Sequence, residues 1–188
     1  QFAASGLVKS ENDAFDGWYY VRNGCVQKGQ ETVVQNSSGW WYIGTDGKVD
    51  FHKNTVAPNE YGWWAVRNGA VDFQLNGIAS NESGDWYCRG GQVDFGAAGV
   101  LESETEGFCG WYYIQNGCVQ KGQETVKQNS NGWWYIGTDG KVDFGFSGIA
   151  SNENGTWYIE NGKVNFTYSG TYEDENGRIY DIKSGNVA

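Results

Sequence analysis

The sequence predicts an all-β protein built from tandem β-hairpin repeats, eight units of about 22 residues in a duplicated four-unit block, solenoid-like in architecture. Three observations carry this expectation. Gly-aromatic starts recur at Gly17, Gly39, Gly62, Gly84, Gly110, Gly132, Gly155 and Gly177, spaced by 22 to 26 residues. The first four reappear 93 residues later as the last four, and 31 of 35 positions agree between 17–51 and 110–144. Helical periodicity is absent throughout.

Each unit reads in the same order. A Gly-aromatic run opens it, and a turn dipeptide follows, as at Asn23-Gly24, Asp46-Gly47, Asn68-Gly69, Gly90-Gly91, Asn116-Gly117, Asp139-Gly140 and Asn161-Gly162. Asn-Gly and Asp-Gly supply the positive φ angles of tight hairpins. A short Val-Asp-Phe strand comes next, and polar stretches such as SNESG and SNENG lead onward. One hairpin is marginal in water, so successive units must stack. The organisation is a lead-in at 1–16, a first block at 17–109 and a second at 110–188, forming one continuous repeat domain.

Composition narrows the function. The 188 residues include 29 Gly, one Pro, no Met and ten Trp, with a net charge of −10. That field attracts neither nucleic acid nor an anionic membrane surface. No apolar run approaches the length of a membrane span. Beginning at Gln1 without an apolar leader, the sequence reads as a mature or excised fragment.

Strand parity sorts the aromatics into two faces. The second aromatic position (Tyr19, Trp41, Trp64, Trp86, Tyr112, Trp134, Trp157, and Ile179 in the last unit) is expected in the core, with Val21, Ile43, Val66, Cys88, Ile114, Ile136 and Ile159 two residues on. Return-strand valines, from Val26 and Val49 to Val187, complete it. The first aromatic position holds Trp18, Trp40, Trp63, Trp111 and Trp133, but Asp85, Thr156 and Arg178 in the other units. A position that accepts Asp and Arg reads as outward. Tyr20, Tyr42, Tyr113 and Tyr135 share its face. Two readings stand: stacked neighbours cover these rings, or they form binding platforms, as exposed apolar patches often do. The Trp133/Tyr135 pair is the first place expected to hold a ligand.

The stretches GWYYVRNGCVQKG, GWWYIGTDGKVDF and GTWYIENGKVNF resemble the aromatic hairpin repeats of bacterial surface proteins: cell-wall-binding (choline-binding-like) and glucan-binding repeats. They are also similar to repeats of starch-adherence proteins of gut anaerobes. The resemblance implies stacked hairpins and ligands held on aromatics of adjacent units. It points to Trp18, Tyr20, Trp40, Tyr42, Trp63, Trp111, Tyr113, Trp133 and Tyr135 as ligand-binding residues. It implies a non-catalytic carbohydrate-binding module, extracellular or on the bacterial cell surface, within a larger multidomain protein. Its partner would be a polysaccharide or oligosaccharide, an α-glucan such as starch or maltooligosaccharide first, met at several platforms. The units are 22–23 residues long and lack Met, a departure from the choline-binding pattern. Choline or wall polysaccharide is therefore the second expectation, and a spacer without ligand the third.

Catalytic chemistry has little support. His52 is the only histidine, and its counterpart is Gly145. The carboxylates Asp50, Asp72, Asp94 and Asp143 recur at one repeat position, which reads as structural or ligand-polar rather than as one acid/base pair. Glu173-Asp174-Glu175 lacks an EF-hand spacing, so no metal and no cofactor is expected. Cys25, Cys88, Cys109 and Cys118 permit three complete pairings, Cys25 with Cys118 among them, or free thiols, and Cys88 also fits as a small core hydrophobe.

Overall fold

A computed structural model describes residues 4–188, and Gln1–Ala3 of the expected lead-in lie outside the described residues. Every element among them is a β-strand, in eight consecutive units. The repeating element is larger than the hairpin expected from the turn dipeptides. In the third unit Thr55–Asn59 pairs along its whole length with Gly62–Arg67, whose end pairs with the short strand Ala70–Val71. The polar stretch before each aromatic run is thus the first strand of a three-stranded meander. The expected lead-in accordingly contributes Gly6–Ser10, which pairs with Gly17–Arg22.

The turn dipeptides behave largely as their chemistry dictates. Asn23, Asn68, Asn116 and Asn161 take φ near +50°, each followed by a positive-φ glycine. At the Asp-Gly turns only Gly47 and Gly140 take positive φ. There the Asp46 and Asp139 carboxylates instead accept the N–H of Lys48 and Lys141, each at 2.9 Å. These two units keep only the bridges Ile43–Val49 and Ile136–Val142 in place of a short third strand.

The chain divides into two compact units, Gln1–Asp94 and Phe95–Ala188, each holding four meanders. Within each, meanders stack in a solenoid-like row through two repeated contacts. The N–H of Tyr42 donates to the carbonyl of Gly69, and that of Ala65 to Gly91; Tyr135 to Gly162 and Tyr158 to Gly185 follow the same pattern, all at 2.7–2.9 Å. The turn glycine also sits directly on the preceding backbone. A Cβ on Gly69 would lie 2.3 Å from the Asp50 carbonyl oxygen.

The core expectation holds for one row of side chains. Ile43, Ile114, Ile136, Ile159 and Cys88 are wholly buried, and Val49, Val93, Val119, Val142 and Val164 nearly so. It needs correcting in two places. Val26 and Ile179 are exposed, and Val71, Val187 and the second-position tryptophans, Trp41 among them, are only half-buried. Burial falls instead on Tyr42 and Tyr135, 2% and 4% exposed, which had been expected to face outward. Tyr42 packs with Val33, Ala57 and Val66, and Tyr135 with Val126, Ala150, Ile159 and Val164. Parity failed because a stacked meander has neighbours against both faces of its aromatic strand.

Candidate ligand-binding site

An asparagine governs five of the eight aromatic strands, those with a second-position tryptophan. The Trp41 indole N–H donates to Asn36 Oδ1 at 3.1 Å, an oxygen that also accepts the N–H groups of Ser38 and Gly39. Trp64 with Asn59, Trp86 with Asn81, Trp134 with Asn129 and Trp157 with Asn152 repeat the bond at 2.9–3.0 Å. Asn59, Asn81 and Asn152 also donate through Nδ2 to a carbonyl of the preceding meander. Each second-position indole is therefore tied by its edge, which leaves a ring face for its neighbours.

The first-position tryptophans divide into two groups. Trp40 meets Trp64 at 5.0 Å and Phe73 at 5.7 Å between centroids. Trp63 meets Trp86 at 5.1 Å, and Trp133 meets Trp157 at 5.0 Å and Phe166 at 5.8 Å. These three rings pack against rings of the next meander, Trp40 while also bordering a cavity. Trp18 and Trp111 make no such ring contact among the described residues, and each lines an apolar cavity. One, of about 170 Å³, is walled by Trp18, Trp41, Phe51, Leu7 and Val49. The other, of about 230 Å³, is walled by the counterparts Trp111, Trp134, Phe144, Val100 and Val142, with Lys163 added.

Asp85 is 8% exposed and receives the Ser80 hydroxyl at 2.5 Å, so a polar residue at the first position does not mark an open surface. The pair Ser151 and Thr156 occupies the same cross-strand place at 2.9 Å. The cross-strand residue, not the strand face, decides what that position tolerates.

A second pair of equivalent cavities is polar. One of about 420 Å³ brings Tyr20, Trp40 and Tyr61 together with Gln27, Gln30 and Gln35. Its counterpart of about 530 Å³ holds Tyr113, Gln120 and Gln123, and is crossed by Lys127, which pairs with Glu153 at 3.0 Å. The Lys127 ammonium also lies 5.1 Å from the Tyr113 ring centre. Of the nine expected ligand-binding residues, Trp18 and Trp111 thus line the apolar cavities, and Tyr20, Trp40 and Tyr113 the polar ones. Trp63, Trp133, Tyr42 and Tyr135 serve packing. Trp41, Phe51, Trp134 and Phe144 also line the apolar cavities, although parity assigns the first and third to the core.

Carboxylates outside these cavities are engaged in turns. Asp50, Asp72 and Asp143 accept the backbone N–H two residues on. Asp174 accepts the N–H groups of Asn176 and Arg178 and the Tyr180 hydroxyl. The Arg178 N–H leads the interactions that hold its carboxyl below the usual range. No cluster of three metal-ligating side chains occurs among the described residues. All four cysteines are free thiols.

A family model described as the choline-binding repeat matches residues 15–27, 31–50, 53–72, 76–94, 110–120 and 145–165, together more than half of the chain. The chain belongs to the choline-binding repeat family. These repeats make it a module of the cell-wall-binding repeat kind. Among solved structures it is similar to CbpJ from Streptococcus pneumoniae TIGR4, with 19% identity and a TM-score of 0.38 over 93% of this chain and 57% of that one. It is also similar to choline binding protein F from Streptococcus pneumoniae, with 18% identity and a TM-score of 0.38 over 96% and 58%. A third match is alternansucrase in complex with isomaltononaose, with 16% identity and a TM-score of 0.42 over 98% of this chain and 15% of that one. The choline-binding repeat chain therefore spans under two thirds of the length of each. No curated protein sequence matches it.

Proposed function

We propose that this chain is a non-catalytic anchoring module of a bacterial surface or secreted protein that grips quaternary ammonium groups, such as choline on a wall polymer, between Trp18, Trp41 and Phe51. The observation that carries this reading is the chemistry of that cavity wall. Its surface is mainly aromatic and aliphatic; of its two polar residues, Asn36 already accepts three N–H groups through its side-chain oxygen, which leaves Ser38. A sugar needs hydrogen-bonding partners beside the ring, which this wall offers sparingly. A quaternary ammonium needs none, and gains ~0.5–2 kcal/mol from its aromatic contacts. The net charge of −10 further favours a cation. This ordering reverses the sequence-based one, which put glucan first.

The polar cavity favours a second reading, in which an oligosaccharide, α-glucan included, lies against Tyr20, Trp40 and Tyr61 with glutamines alongside. The two readings separate in one experiment. The protein is passed over an immobilised quaternary-ammonium matrix and run in native gels cast with amylopectin or wall polysaccharide, each with and without free choline. Retention on the matrix, reversal by choline and loss of both in Trp18→Ala are expected. Failure to be retained sinks the first reading. Retardation by amylopectin that choline leaves intact and Tyr61→Ala removes supports the second.

A further inference from the structure

The two apolar cavities are counterparts 93 residues apart, and their linings differ at Leu7/Val100, at Ser38/Asn131 and by Lys163, the one charged side chain in either. At six junctions inside the two compact units, a return-strand residue lies opposite the second aromatic of the preceding meander. Five of these residues are long or polar: Lys48, Gln92, Lys141, Lys163 and Asn186. Each crosses the hairpin glycine of the meander before it. A Cβ on Gly17, Gly62, Gly110, Gly132 or Gly155 would come within 2.3–3.0 Å of that side chain. The sixth is Ala70, opposite Trp41. A Cβ on Gly39 would meet nothing nearer than Trp41 itself.

At Trp134 the crossing residue is Lys163. Its ammonium lies 5.0 Å from the ring centre, and no carboxylate pairs with it among the described residues. A positive group thus already rests on the indole that corresponds to Trp41, inside the cavity that corresponds to the Trp18 site. Like charges at such separation oppose a second cation, and the lysine stem fills part of the space it would need. The Trp41 ring has no such cover.

We propose that Lys163 is a built-in cation occupying the second cavity, so that of these two cavities only the one walled by Trp18, Trp41 and Phe51 accepts an external quaternary ammonium, with Ala70 against Lys163 as the selecting pair. This rests on the ring-pocket reading above.

Calorimetric titration of the full chain with choline chloride tests it. Of these two cavities the unaltered protein fills one, and Lys163→Ala adds a site. Lys163→Gln, which keeps most of the length without the charge, strengthens binding at the second cavity at least severalfold. Ala70→Lys weakens the first site at least tenfold, with circular dichroism confirming that each variant is folded. Equal filling of both cavities in the unaltered protein, or no gain of a site in Lys163→Ala, overturns the role of Lys163 and leaves the ring-pocket reading standing. Absence of choline binding in every variant overturns both. Tryptophan indole N–H signals assign the occupied cavity: Trp18 and Trp41 shift in the unaltered protein, and Trp111 and Trp134 join them in Lys163→Ala.

Discussion

Asn129 Oδ1 accepts the Trp134 indole N–H at 2.9 Å and the Asn131 backbone N–H at the same distance, joining a turn to an aromatic ring five residues away. One oxygen thus closes the hairpin and fixes the indole edge, leaving the ring plane to choose its neighbours.

Asn129→Ala therefore removes two hydrogen bonds and strands a half-buried indole N–H. The expected loss is about 1–3 kcal/mol of stability, read from urea unfolding. Asn129→Asp keeps an acceptor and is expected to lose less. Equal stability of Asn129→Ala and the parent would refute the role assigned to this oxygen.

Trp40→Ala and Trp133→Ala are expected to act on stability more than on choline binding, because their rings meet the tryptophan of the next meander at 5.0 Å. A fully buried tryptophan truncation costs ~3–5 kcal/mol, and half-buried rings cost less, about 2 kcal/mol. Trp18→Ala is expected to leave the unfolding midpoint nearly unchanged while abolishing choline elution from the matrix. The opposite pattern would return the function to the covered rings.

Gly69→Ala tests the stacking contact. Its added Cβ would lie 2.3 Å from the Asp50 carbonyl oxygen and 2.5 Å from the Phe51 Cα, at a φ of +75°. Both the strain and the displaced neighbour oppose it. A loss of more than 2 kcal/mol is expected by thermal unfolding, whereas Gly29→Ala, with open space around it, costs only its backbone strain.

Alkaline pH supplies a different probe. Burial pushes the Cys88 thiol from 9.0 up to about 12. Burial first, and the nearby Glu124 carboxylate second, push the Tyr135 hydroxyl from 10.0 up to about 12. Both groups are neutral in the fold and ionise more readily in the unfolded chain. Their contribution is complete below pH 9 and falls between about pH 9 and 12 as the unfolded chain sheds its protons first. Urea midpoints measured across that range are expected to decline. Below pH 9 a thiol reagent should modify the exposed Cys25 and Cys109 quickly and Cys88 only after unfolding. Rapid labelling of Cys88 in the folded protein would contradict its burial.

Much of this fold was legible in the repeats. The eight units, the Asn-Gly turns and the buried Ile/Val row follow from spacing and turn chemistry alone. The longer strand pairing was hidden because stretches such as TVVQN and GIASN lack the strict alternation that marks a half-buried strand. The division of aromatics was misread for a physical reason. Parity separates two faces of one strand, but here each face meets another meander, so Tyr42 is buried while Trp41 keeps part of its ring open. Nothing in GWWYIGTDGKVDF distinguishes its two copies. What separates them stands outside it, at Ala70 and Lys163.

Within each compact unit the carbonyl of a later meander's turn glycine, Gly69 for Tyr42 or Gly162 for Tyr135, reaches back to the preceding aromatic strand. A meander is consequently unfinished until its successor exists, and the row has a direction. For a chain synthesised from its N-terminus, each unit matures one step behind the segment that has just emerged. Shortening the row from its C-terminal end would therefore expose a new incomplete unit at every cut, whereas removing units from the start leaves the last closure untouched.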